Sequence, residues 1–191
     1  MSSKIFISAD DLLLDSFRLA RRILDSGWRP DALVALWRGG TPVGVAVHEF
    51  LAYNGVDTCH MALKCASYTG IASRGEVRFE YADPALDSIR SGQRVLVVDD
   101  IFDSGCTAAA VLGRLAGVRA DVRIATVFWK PANNATAHTP DYYLHVTEDW
   151  VVFPHELMGL TPAEIARKSP VLRDLLAGSK TGRAAGSRTS V

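Results

Sequence analysis

The chain has 191 residues, 48% hydrophobic and 22% charged, with 21 Lys and Arg balanced by 21 Asp and Glu. That length suits one domain with a sizeable core, and the zero formal charge gives no electrostatic case for a nucleic-acid or membrane partner. No stretch approaches the roughly 18 apolar residues of a membrane helix, and Met1–Asp10 lacks the basic flank and apolar run of a signal peptide. Three cysteines, Cys59, Cys65 and Cys106, form no C-x-x-C pair, so a reduced, cytoplasmic chain is expected rather than a disulfide framework.

Apolar residues at Leu13, Phe17, Ala20 and Leu24 have helical spacing and predict a helix over Asp10–Ser26, with Ser8 as N-cap and Gly27 as stop. The apolar run Ala32–Trp37 predicts a buried strand. Thr41–Tyr53 predicts a helix with Pro42 in its first turn and Asn54-Gly55 closing it. Thr58–Cys65 reads as a second strand and the polar, glycine-bearing Ala66–Gly75 as a loop. Arg94–Val98 is a compact apolar strand, Thr107–Ala116 an Ala-rich helix, Val122–Trp129 a further strand, and Tyr142–Val146 one more. Thr161-Pro-Ala-Glu164 fits a capping box opening a helix through Leu176. Strands alternating with helices predict an α/β fold with a mainly parallel central sheet. Residues 1–177 are expected to form one domain, and the Gly-, Ser- and Lys/Arg-rich 178–191 a flexible tail.

The most informative segment is Val95-Leu-Val-Val-Asp-Asp-Ile-Phe-Asp-Ser-Gly-Cys-Thr107. An apolar strand leads into Asp99 and Asp100, then Asp103, then the small and hydroxyl-bearing Ser104, Gly105, Cys106 and Thr107 at a helix start. Backbone N–H groups at such a helix N-terminus cradle phosphate, and ligands of parallel sheets bind beyond the carboxyl ends of strands. Carboxylates beside an anion cradle make sense if the ligand also donates ribose hydroxyls or brings a Mg²⁺ ion. A bare Asp-Asp after four apolar residues is usually only a strand followed by a polar turn; the thirteen-residue run carries far more. Competing motifs are absent: there is no G-x-x-x-x-G-K-[ST], no G-x-G-x-x-G after a strand, and His48-Glu49 and His155-Glu156 lack the second His of a helical zinc site. Those histidines are expected at the surface or in packing.

The thirteen-residue run resembles the phosphoribosyl pyrophosphate motif of type I phosphoribosyltransferases, which implies their α/β fold with a small base-binding hood, here drawn partly from 130–160. Leu36-Trp-Arg-Gly-Gly-Thr-Pro-Val-Gly44 is similar to that family's pyrophosphate-binding loop, which implies donor contacts from Arg38, Gly39 and Gly40 and a non-proline cis peptide before Arg38. Ile124–Pro131 and Tyr142–Glu156 resemble the C-terminal half of xanthine-guanine and hypoxanthine-guanine phosphoribosyltransferases. By that resemblance Lys130 donates to a purine 6-oxo group, Trp150 stacks on the base, and the backbone at Val151 and Val152 meets its edge. Taken alone, Lys130 reads as a strand-end charge and Trp150 as core; their order after the two earlier motifs gives them the functional reading.

The implied reaction is displacement at ribose C1 of phosphoribosyl pyrophosphate by a 6-oxopurine (hypoxanthine, guanine or xanthine), as in purine salvage. Arg38 and Mg²⁺ would serve the pyrophosphate, Asp99 and Asp100 the ribose hydroxyls and metal, and Asp103 purine N7. Ser67-Tyr68 resembles the Ser-Tyr of the family's mobile catalytic loop, making 66–75 a candidate lid. A homodimer is expected by analogy. His155 stands where the family has an aromatic residue, and the region after Thr161 has no assigned counterpart. The alternatives are a nucleic-acid-binding regulator on the same fold, or a transferase for uracil or orotate.

Overall fold

The computed structural model describes residues 3–67, 77–79 and 84–179. In chain order the elements are β1 (Lys4–Phe6), α1 (Ala9–Asp25), β2 (Ala32–Trp37), α2 (Gly40–Tyr53), β3 (Cys59–Ser67), β4 (Val77–Phe79), α3 (Pro84–Asp87), β5 (Arg94–Phe102), α4 (Cys106–Leu115), β6 (Asp121–Trp129), β7 (Tyr142–Val146), β8 (Trp150–Val152), α5 (Pro162–Lys168) and α6 (Pro170–Ser179). Two sheets result. The larger has the order β4-β3-β2-β5-β6-β7, with β3, β2, β5, β6 and β7 mutually parallel and β4 antiparallel on the β3 edge. The smaller pairs β1 with β8 in parallel, Lys4 opposite Trp150 and Phe6 opposite Val152.

Period-two alternation sends neighbouring strand residues into two different cores. Leu33 and Ala35 of β2 and Leu96 and Val98 of β5 pack with Leu19 and Ile23 of α1 and Val43, Val47 and Leu51 of α2. Val34, Leu36, Val95 and Val97 face the other way, onto Val111 and Leu115 of α4. A sheet covered on both faces needs near-continuous apolar strands, which is why the runs at 32–37 and 95–98 are so legible.

Local signals set most boundaries. Ser8 caps α1, its hydroxyl accepting from the Asp11 N–H at 3.0 Å, and Gly27 follows with φ +80°. The buried stripe is rotated by one residue from the expected one: Leu12 is 4% exposed and Leu13 47%, because Leu12, Leu19 and Ile23 are the residues that meet α2 and the sheet. The capping box at Thr161 and Glu164 is present in full. The helix it opens stops at Ser169 instead of running through Leu176. Pro170 forces its predecessor out of the helical region, to φ −165° and ψ 122°, and α6 starts afresh. No helix among the described residues is long and apolar enough to cross a membrane.

β2 and β5 are adjacent and parallel, so the chain leaves both at the same edge of the sheet. That edge is where the sequence motifs converge.

Candidate active site

Asp99 and Asp100 lie inside β5 rather than beyond its end. The strand continues to Phe102 because β6 continues beside it, with Asp99 opposite Thr126, Ile101 opposite Phe128 and Phe102 opposite Trp129. The pleat then separates the two carboxylates. Asp99 lines a cavity of about 220 Å³ together with Asp103, Ser104, Gly105 and Thr107. Asp100 lines another, of about 340 Å³, with Arg38, Gly39 and His155. Asp99 is only partly exposed, and loss of water contact holds its carboxyl well above the usual carboxylate range; the neighbouring Asp100 charge adds to this, while N–H groups of Asp100 and Gly40 oppose it.

The 104–107 turn has the geometry of an anion cradle. Gly105 precedes α4 with φ +77°, and a Cβ there would lie 2.6 Å from Thr136 Oγ1 and 2.8 Å from Asn134 Oδ1, so only glycine suits the position. The Cys106 N–H donates to Ser104 Oγ at 3.4 Å. The N–H groups of a first helical turn have no intrahelical acceptor, and here that turn opens onto the cavity that Thr107 lines.

Across the edge, the Trp37–Arg38 peptide is cis, as the family resemblance implied. Arg38 and Gly39 then turn into α2, with the Thr41 N–H donating to the Arg38 carbonyl at 3.2 Å. Gly39 is in van der Waals contact with the Asp100 carboxylate: a Cβ built on it would be 2.1 Å from Oδ2. His155, expected to be a surface or packing residue, approaches Asp100 with Nε2 3.4 Å from Oδ2, and its ring stacks on Phe153 at 5.7 Å. Lys64 lines the same cavity; nothing local in its strand sequence marks it.

Lys130 and Trp150, twenty residues apart, are brought together. The Lys130 side chain is buried, at 7% exposure, whereas Trp150 is 57% exposed, and the ammonium sits 6.0 Å from the indole centroid. The Lys130 N–H donates to the Phe102 carbonyl at 2.9 Å, tying this residue to the end of β5. A second tie was not expected: Asn133 Nδ2 donates to Asp103 Oδ1 at 2.7 Å. In β8 the Trp150 N–H donates to Ser3 and the Val152 carbonyl accepts from Ile7, so the backbone groups of Val151, between them, point away from β1. Ser67 ends β3, while Tyr68 and the rest of the expected lid through 75 lie outside the described residues.

A model of the phosphoribosyl transferase domain matches residues 8–158. The chain belongs to the phosphoribosyltransferase family. This phosphoribosyltransferase is 30% identical over 160 residues to the xanthine-guanine phosphoribosyltransferase of Roseobacter denitrificans, covering 79% of this chain and 84% of that one. Its structure is similar to a purine phosphoribosyltransferase from Pyrococcus horikoshii, with TM-score 0.68, 25% identity and coverage of 83% and 97% of the two chains. A hypothetical protein from Neisseria gonorrhoeae with bound ppGpp is similar at TM-score 0.68 and 25% identity, covering 90% and 98%.

Proposed function

We propose that this phosphoribosyltransferase moves the ribose 5-phosphate of phosphoribosyl pyrophosphate onto N9 of a 6-oxopurine, hypoxanthine, guanine or xanthine, releasing pyrophosphate in purine salvage. The observation that carries the base assignment is the buried Lys130 ammonium set 6.0 Å from an exposed indole face. An oxo group at purine C6 accepts from the ammonium while the ring lies on Trp150; an adenine amino group would oppose donor to donor. The Val151 backbone, left free by β1, is the edge that meets the base, with Val152 already bonded to Ile7.

On the donor side, the 105–107 turn and Ser104 receive the 5-phosphate, and Arg38 with Gly39 and Gly40 receives the pyrophosphate. Asp99, facing the phosphate cavity, suits the ribose hydroxyls; Asp100, facing Arg38, suits the metal. Among the described residues no three potential ligands cluster into a metal cage. Two carboxylates of differing exposure do fit Mg²⁺ in its usual mode with substrate phosphates, one or two protein oxygens completing a shell supplied mainly by the substrate. When bound, the ion neutralises the pyrophosphate as it departs. Asp103, held by Asn133 through one oxygen, keeps the other for the proton at purine N7. Arg38 stabilises the leaving group, and the two cavities hold the reactants in line. The same reading makes the protein a cytoplasmic homodimer, with residues 1–177 as one domain and no nucleic-acid partner, in keeping with its balanced charge.

The test is pyrophosphate release from the donor and Mg²⁺ with hypoxanthine, guanine, xanthine, adenine, uracil and orotate in parallel. Release with 6-oxopurines, lost in Asp103→Asn, is the expected result. Measurable donor binding without release with any base sinks the proposal.

A further inference from the structure

The last described helices lie beyond the family match, which ends at residue 158, yet α5 reaches back to the site. Its capping box fixes Thr161 as N-cap, and residues 164, 167 and 168, spaced three and four apart, then share one face. Each meets the small sheet or the turn that follows it. Glu164 pairs with Lys4 of β1 at 2.5 Å. The Arg167 guanidinium sits 4.5 Å over the Phe6 ring. Lys168 Nζ donates to the carbonyls of Phe153 at 2.6 Å and Glu156 at 2.5 Å.

Those two carbonyls belong to the turn 153–156, which leaves β8. Within the turn, the Glu156 N–H donates to the Phe153 carbonyl at 3.0 Å and the Phe153 N–H to Glu156 Oε2 at 3.2 Å; the Phe153 ring is buried against Phe128, which leaves the Phe153 and Glu156 carbonyls for Lys168. Its outward side carries His155 and Glu156, which wall the cavity shared with Arg38 and Asp100. His155 is the contact from this turn to Asp100. Burial lowers the Lys168 pKa from its ordinary value, and the Glu156 charge opposes the shift.

We infer that Lys168 is a positioning residue for the donor site: it pins the 153–156 turn from behind, so that His155 is held against Asp100 and the wall facing Arg38 keeps its place. This rests on the reading of that cavity as the site for the pyrophosphate side of the donor. It assigns a task to a segment outside the family domain, and it separates the donor wall from the base wall, because Trp150 and Val152 are bonded to Ser3 and Ile7 rather than to Lys168.

The experiment compares steady-state kinetics of the full-length wild type, Lys168→Met and Lys168→Arg, with melting temperatures measured alongside. Methionine keeps the aliphatic stem and removes both donors; arginine restores them. The expected result for Lys168→Met is a five- to tenfold higher KM for phosphoribosyl pyrophosphate, with kcat and the purine KM within twofold of wild type. Lys168→Arg returns the donor KM to within twofold. A lowered melting temperature with an unchanged donor KM overturns the inference and leaves Lys168 merely structural; equal rises in donor and purine KM overturn it as well. If the methionine variant does not fold, Lys168→Leu, which also removes the ammonium donors, is held to the same criteria. A wild type that binds no donor refutes the functional reading itself, an outcome distinct from a donor-binding wild type whose Lys168 variants match it.

Discussion

Replacing Gly39 with alanine tests the donor side of the site most directly. The added Cβ would lie 2.1, 2.3 and 2.5 Å from Oδ2, Cγ and Oδ1 of Asp100, an ångström or more inside the roughly 3.5–4.0 Å of a carbon contact. Asp100 can yield only by swinging its carboxylate into the cavity it shares with Arg38 and His155, away from the position it holds 3.4 Å from His155 Nε2. Overpacking of this kind costs about 1–3 kcal/mol. If Asp100 yields by leaving its donor-binding position, the loss appears in kcat/KM for phosphoribosyl pyrophosphate as roughly 5- to 150-fold, at tenfold per 1.4 kcal/mol. The assay is the initial rate of pyrophosphate release against donor concentration, at saturating purine and fixed Mg²⁺, with a thermal melt of the same sample. A variant with wild-type kcat/KM and an unshifted melt would refute the claim that Gly39 is glycine because Asp100 occupies its Cβ position.

Gly113 provides the opposite case. It lies within α4 and a Cβ there meets nothing within 4 Å, so Gly113→Ala should stabilise by about 0.5–1 kcal/mol, read as a higher melting temperature at unchanged activity. Lys130→Met removes a charged hydrogen bond worth about 1.5–3 kcal/mol, so kcat/KM for the 6-oxopurine should fall by roughly 10- to 150-fold, while donor affinity measured without purine stays put. The α5 contact carries a pH signature. Bonding to Lys4, then to the Thr161 N–H and hydroxyl, lowers the Glu164 carboxyl from 4.5 to about 2. A depressed carboxylate pKa contributes stability that is complete above the unfolded pKa and lost as pH falls through the folded one. The gap in melting temperature between wild type and Glu164→Gln is therefore expected to be constant above pH 5 and to narrow as pH falls from 4.5 toward 2; a gap that widens on acidification would contradict the pairing.

The site was legible where its residues are consecutive. The run 95–107 and the loop 36–44 each carry strand, turn and helix start in one local pattern, and the structure sets both at one sheet edge. Legibility failed where partners are distant. β1 and β8 are three residues each and pair across about 146 positions of chain, and nothing in Lys4-Ile5-Phe6 announces a strand whose ladder partner, among the described residues, arrives so late. The apolar run ends at Val98, but the length of β5 is set by β6 and extends to Phe102. Asn133 escaped notice, and His155 was expected only at the surface or in packing, for the same reason: each matters through a carboxylate on another element, Asp103 and Asp100.

The pairing of β1 with β8 also dictates an order of events during biosynthesis. As the chain leaves the ribosome, β2, β3, β5 and β6 can join in turn, each parallel strand finding a neighbour already made. Lys4–Phe6 cannot: its ladder partner is Trp150–Val152, and Lys168 comes later still. Until then the first strand is an unpaired edge, the kind of segment that invites wrong partners. The 104–107 turn is thus complete well before Trp150 is in place, and on the proposed function a nascent chain could hold the donor's phosphate end before it could present a base to it. Donor present during translation would then stabilise the half-made molecule by mass action, and the purine would find its place only after the last helix had emerged.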